Sequence, residues 1–280
     1  MAVDHYENFP VASFLLPARL RTPVEIIYRF ARGADDIADE GDAGSAERLA
    51  GLAAYRQQLR RVSNGEAAAP QPEGAMFDAL GNVIADYRLP TRLFEDLLDA
   101  FSQDVVQTRY TDFPQLLDYC RRSANPVGRL LLALYGVAAP QALTQSDAIC
   151  SSLQLINFWQ DVAIDRVKGR VYLPQDSLAR FGFSPNEEAP SVCDHRFRAL
   201  LCFEVGRARA MMLAGAPLTA ALPGRIGWEL SLVVQGGLRI LDKIEAADYD
   251  VFLRRPVLGK LDWAVLTCRA IADRIRRSVQ

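Results

Sequence analysis

Histidine is nearly missing from this chain: His5 and His195 are the only two in 280 residues. That scarcity excludes an H-E-x-x-H zinc site and an E-x-x-H di-iron pair, and it leaves poor material for a Ser-His-Asp triad. The five cysteines, Cys120, Cys150, Cys193, Cys202 and Cys268, are odd in number and scattered, with no C-x-x-C pair. They are expected to be reduced and mostly buried rather than to form a disulfide frame or zinc ribbon. No run of about 18 uncharged apolar residues is present, so no bilayer-spanning segment is predicted. Charge of either sign nearly cancels, to a net −2, and no nucleic-acid partner is expected. The opening MAVDHYENFP lacks the basic-then-apolar order of a signal peptide, which predicts a cytoplasmic protein. Alternating strand patterns, hairpin signals, internal repeats and low-complexity tracts are also missing. Chemistry must therefore rest on carboxylates, amides, arginines and aromatics.

Helical patterns fill the chain. Thr22 is placed to cap a helix with Pro23 at its first position, and Val24, Ile26, Ile27, Phe30 and Ala31 carry it onward. Gly33 inside that helix costs about 1 kcal/mol relative to Ala, which points to a close approach there. Ser45 opens another helix, 63–74 reads as a loop, and helices are predicted near 75–87, 90–107 and 113–135. The last is interrupted at Asn125-Pro126, because the residue before proline leaves helical geometry. A helix over 147–165 follows, then a short one at 175–181 and long ones at 194–220, 225–247 and 257–278. The pattern predicts one all-α domain over 1–280 with a central cavity.

Two acidic faces stand out. Gln154, Asn157, Asp161 and Asp165 recur at steps of three, four and four, which keeps side chains on one helical face. Asp35 and Asp39 share a face of the earlier helix, with Arg32 one turn before Asp36. A carboxylate at a helix C-terminus meets an unfavourable dipole, so Asp39 is not there for helix stability. Like carboxylates one turn apart raise each other's pKa unless a cation compensates. Magnesium suits such faces: it takes one or two carboxylates, keeps waters and completes its shell with phosphate oxygens. Asn157 adds a neutral oxygen, and Arg32, Arg170 and Lys168 supply positive charge for a diphosphate.

With Gln154 before it and GRVYLP after it, the pair DDIAD and NFWQDVAID resembles the two aspartate-rich motifs of the squalene/phytoene synthase family. The likeness runs from Asn8-Phe9 through Tyr28-x-x-x-Arg32 and YCRRSANPVG to the terminal helices. ENFPVAS, YCRRSANPVGRLLL and YDVFLRRPVLGKLDW are most similar to the bacterial hydroxysqualene synthases of hopanoid biosynthesis. The resemblance implies an all-α isoprenoid synthase bundle, with Asp35 and Asp39 in the first motif and Asn157, Asp161 and Asp165 in the second. It implies that Asn8, Phe9, Tyr28, Arg32, Tyr119, Arg121, Gln154, Gln160, Arg170 and Tyr172 bind substrate. Gln160 and Arg121 stand where many relatives carry Arg and Tyr, and both are expected to alter the polar end of the cavity, where a product-determining water could be held.

The implied reaction is ionisation of presqualene diphosphate, cyclopropyl rearrangement and water capture, giving hydroxysqualene with no nicotinamide cofactor. Aromatic faces stabilise a carbocation, with Phe9, Phe14, Phe158 and Trp159 as candidates. Peripheral contact with the inner membrane face and coupling to a presqualene diphosphate synthase are further expectations. Two rival readings stay open. One is head-to-head condensation of prenyl diphosphates to presqualene diphosphate, squalene or phytoene, and the other is a non-catalytic helical protein that binds prenyl lipid or a partner.

Overall fold

The computed structural model describes residues 16–70, 72–184 and 190–278, with only the helical backbone given after 270. Among the described residues the regular structure is all helical, apart from one isolated bridge between Arg109 and Val171. Twelve helices follow in order. They are α1 (Ala18–Asp39), α2 (Ser45–Ser63), α3 (Gly74–Tyr87), α4 (Thr91–Asp104), α5 (Phe113–Ser123) and α6 (Asn125–Leu134). Then come α7 (Pro140–Val167), α8 (Gln175–Arg180), α9 (His195–Gly215), α10 (Leu218–Ala221), α11 (Gly224–Ala246) and α12 (Lys260–Ser278).

The expected start of α1 is corrected. The helix begins at Ala18, and Pro23 lies inside it rather than at its first position. Leu20, Val24, Ile27 and Phe30 form one buried stripe, and keeping Leu20 in that stripe favours the extra turn. Pro23 has no N–H for the Arg19 carbonyl. The Tyr87 hydroxyl donates to that carbonyl instead, at 3.3 Å. Gly33 meets its expected close neighbour, since a Cβ there would lie 2.5 Å from Tyr55 Oη.

Three other bounds move. The 113–135 pattern divides into α5 and α6 around Ala124, whose backbone departs from helical values one residue before Asn125-Pro126. The long acidic helix starts at Pro140 rather than Asp147. The 194–220 pattern breaks after Gly215 into α9 and α10.

Buried side chains form two clusters. One gathers α1, α2 and α3 around Phe30, Tyr55 and Phe77, and the other gathers α5, α7, α9 and α11 around Trp159, Phe197 and Leu241. Helices α4 and α6 contribute to both: Phe94, Leu98, Leu130 and Leu134 to the first, Ala100 and Leu132 to the second. The two acidic helices therefore belong to different cores, and their acidic ends meet where those cores join.

Candidate active site

Helix α1 carries Tyr28, Arg32, Asp35 and Asp39 at steps of four, three and four, one stripe that ends at its C-terminus. Arg32 is held within that stripe, 3.0 Å from Asp35 and 2.7 Å from Asp36. The opposing stripe is on α7, with Gln154 half-buried, Asn157 exposed, and Asp161 and Asp165 half-buried. The 170–176 segment that follows α7 is clamped to the chain just after α4. The amides of Val171, Gln175 and Asp176 donate to the carbonyls of Thr108, Tyr110 and Thr111 at 2.8, 2.9 and 3.0 Å.

That clamp delivers Arg170 to the other acidic face. Its guanidinium takes both carboxylate oxygens of Asp39, Nη1 to Oδ2 at 3.0 Å, and Lys168 Nζ stands 3.5 Å from the same carboxylate. One fork-to-fork ion pair thus joins the end of α1 to the loop after α7. Asp161 is gripped in the same way by Arg255, whose Nη2 lies 3.1 Å from Oδ2.

The electrostatics agree with a shared enclosure. Burial pulls the Asp39 carboxyl upward, but the hydrogen bonds and charge of Arg170, with Lys168, hold it below the usual range. Burial raises Asp35 against the pull of Arg32, and Asp39 adds to the rise. Asp165 is pushed up to about 7 by burial and by the charge of Asp161, with Asp39 across the gap adding to it. Each of these groups feels the other helix.

A further acid completes the group. Asp104, the last residue of α4, accepts a hydrogen bond from Tyr119 Oη at 2.8 Å through Oδ2. Its Oδ1 is buried with no hydrogen-bond partner among the described residues. Burial pushes this carboxyl up to about 7, with Asp39 and Asp35 adding to the rise and Tyr119 and Arg170 opposing it. Beside it stands an aromatic wall: Tyr172 stacks on Phe158 with centroids 3.7 Å apart and planes 8° from parallel, and Tyr119 and Tyr110 flank the pair.

Other expected site residues lie elsewhere. Asn8, Phe9 and Phe14 fall outside the described residues. Trp159 is fully buried among the core of α7 and α9, so the expectation that it faces the cation is corrected. Gln160 is also corrected: it is buried, and its amide nitrogen donates to the Pro256 carbonyl at 2.6 Å. One residue off the Asp161 face, it holds the backbone beside Arg255, so its effect on the polar end runs through that arginine. Arg121 is half-exposed and turns to Asp118 on its own helix, 2.9 Å away.

The donors fit magnesium in kind, since all are carboxylate or amide oxygens. Among the described residues no three acidic, histidine or cysteine side chains gather closely enough to cage an ion alone. Oxygens from a bound phosphate would have to complete the shell.

The Squalene/phytoene synthase profile matches residues 2–262. The chain belongs to that family. A hydroxysqualene synthase of Rhodopseudomonas palustris is 34% identical over 273 residues, which covers 97% of this chain and 90% of the relative. A 15-cis-phytoene synthase of Synechococcus elongatus is 30% identical over 261 residues, 89% and 83% of the two chains. Among solved structures, the squalene synthase HpnC of Alicyclobacillus acidocaldarius superposes with a TM-score of 0.80 at 37% identity, covering 89% of this chain and 91% of that one. Within the squalene/phytoene synthase family frame, Asp104 and Arg255 are the residues that sequence reasoning passed over. The helix expected over 90–107 ends at Asp104, and the helix-dipole argument made for Asp39 applies to it equally.

Proposed function

We propose that the chain converts presqualene diphosphate to hydroxysqualene and diphosphate. The observation that carries this reading is Asp104. It is an acid buried against an aromatic wall, near the diphosphate-binding charges, with one oxygen held by Tyr119 and the other buried with no hydrogen-bond partner among the described residues. Similarity to proteins named hydroxysqualene synthase along nearly the full chain supports the same reading.

Asp35, Asp39, Asn157, Asp161 and Asp165 are the residues that would hold magnesium, which supplies Lewis-acid neutralisation of the departing diphosphate. Arg32, Arg170, Lys168 and Arg255 bind diphosphate oxygens by charge-assisted hydrogen bonds as they turn from their carboxylate partners. The carbon–oxygen bond breaks with its electron pair on diphosphate. The remaining cation lies against the aromatic wall of Phe158, Tyr172 and Tyr119, where one open ring face is worth about 1–2 kcal/mol in a dry site. After rearrangement, a water on Asp104 Oδ1 adds to the cation and its proton passes to that carboxylate. The sum is substrate plus water giving alcohol plus diphosphate, balanced without a hydride donor.

Turnover of presqualene diphosphate in ¹⁸O-labelled water, with and without NADPH, tests this. Labelled hydroxysqualene in both tubes is expected. Squalene formed only with NADPH, or consumption of farnesyl diphosphate but not of presqualene diphosphate, assigns the chain to head-to-head condensation instead. The similarity to a phytoene synthase favours that second reading.

A further inference from the structure

The segment from Phe252 to Arg269 presents an unusual outer surface. It holds five of the ten most exposed large apolar side chains among the described residues, including Leu253 at 88%, Leu261 at 85% and Val257 at 43%. Leu253 and Val257 precede α12, and the helix continues the pattern. At about 100° per residue, Asp262, Leu266 and Ala270 form its inner stripe, and all three are buried. The opposite stripe of a surface helix is ordinarily polar. Here it is Leu261, Ala264, Val265 and Cys268, all exposed.

Lys260 borders the apolar stripe on one side and Arg254 is exposed beside Leu253, both basic, while Arg269 on the other side is paired with Asp242 of α11 at 3.0 Å. The segment's one carboxylate, Asp262, is buried and turned inward, where it accepts from Arg239 Nε at 2.8 Å and from the Gly259 amide at 2.7 Å. An apolar strip that projects from the protein between flanking cations is the arrangement of a helix lying in a lipid interface. There the apolar side chains enter the acyl boundary and the long basic ones reach the headgroups. Two copies meeting face to face on this surface would set Arg254 and Lys260 against their own equivalents, which argues against a second copy as the occupant.

Arg254 and Val257 line a 240 Å³ cavity together with Arg255, the partner of Asp161. We propose that Leu253, Val257 and the Leu261–Val265 face of α12, with Arg254 and Lys260, dock the protein on an anionic bilayer and set the mouth of the site at the membrane surface. The role of the mouth rests on the reading of a prenyl diphosphate substrate, and the docking does not.

The test is flotation of the full chain with vesicles of phosphatidylcholine alone or mixed with phosphatidylglycerol. Binding to the mixed vesicles, lost in high salt, is expected. Leu261→Asp and the double variant Arg254→Glu/Lys260→Glu should each weaken it by about tenfold or more, since the first puts a charge into the acyl boundary and the second reverses two basic contacts with the headgroups. Circular dichroism and turnover of detergent-dispersed presqualene diphosphate by Leu261→Asp should match the parent chain. If Leu261→Asp misfolds, the charge variant decides alone. No vesicle binding, or binding indifferent to both variants, overturns the proposal. So does a concentration-dependent dimer in light scattering that Leu261→Asp abolishes, because a second copy then covers the face. Vesicle binding is read without turnover, so its failure is distinct from failure of the proposed reaction.

Discussion

Replacing Asp104 by Asn removes one ionisable group while keeping its shape, and its effect follows from the sign of one shift. Burial lifts this carboxyl from its ordinary 3.8 to about 7 in the folded chain. Between those values the folded protein holds a proton that the unfolded chain has released. Stability is therefore fullest below pH about 4 and falls as pH rises toward about 7. The shift is about three pKa units, an upper limit of ~4 kcal/mol, and partial access to solvent reduces this to roughly 2–4 kcal/mol. Asp104→Asn should abolish that loss. Urea unfolding in EDTA, followed by circular dichroism from pH 4.5 to 8, should show the variant gaining on the parent by this amount as pH rises. Asp165 titrates in the same range, but it is present in both proteins and cancels in the difference. At pH 7.5 the variant should lose about 10²–10³-fold in hydroxysqualene formation, the usual scale for a removed proton acceptor, while still releasing diphosphate. Parallel stability curves together with unchanged alcohol formation would refute both the burial argument and the role assigned to Asp104.

Three further outcomes are expected. Asp161→Ala should abolish turnover and keep a helical spectrum, and exhaustive EDTA should silence the parent chain; survival of activity in either case removes the metal assignment. Arg170→Lys cannot reproduce the two-pronged grip on Asp39, so KM for diphosphate substrate should rise about tenfold or more while the circular dichroism spectrum stays unchanged. Gly33→Ala places a Cβ 2.5 Å from Tyr55 Oη, so despite alanine's better helix propensity the chain should lose roughly 1–2 kcal/mol. Tyr55→Phe should recover part of that loss in a double-mutant cycle, and a Gly33→Ala protein that melts higher than the parent contradicts the packing argument.

Much of this architecture was legible in the sequence because helices announce themselves locally. The periodicity of apolar residues, the Asn125-Pro126 interruption and the loop at 63–74 each depend on near neighbours. The two acidic stripes were legible for the same reason, since steps of three and four are a property of one helix. What the sequence concealed is what depends on distant partners. Asp104 acquires its character only when Tyr119 of α5 and the charges of Asp35 and Asp39 on α1 come beside it. The resemblance implies that Gln160 binds substrate, yet it stands a single residue step, about 100°, from Asp161 and its amide is on the Pro256 carbonyl. Pro23 misplaced the start of α1 because the carbonyl it leaves free is satisfied by Tyr87, a residue on another helix.

The location of the site between two separately packed cores has a consequence for how this enzyme could change. The acids of α1 ride on the packing around Phe30 and Phe77, whereas those of α7 ride on the packing around Trp159 and Leu241. A volume change in either interior shifts one row of carboxylates against the other while each row keeps its own internal spacing. The gap that must match a diphosphate is thus an adjustable dimension, set by remote apolar residues that never touch substrate. Drift in chain-length preference or product would then leave its record in the walls shared by α4 and α6, with both acidic rows unaltered.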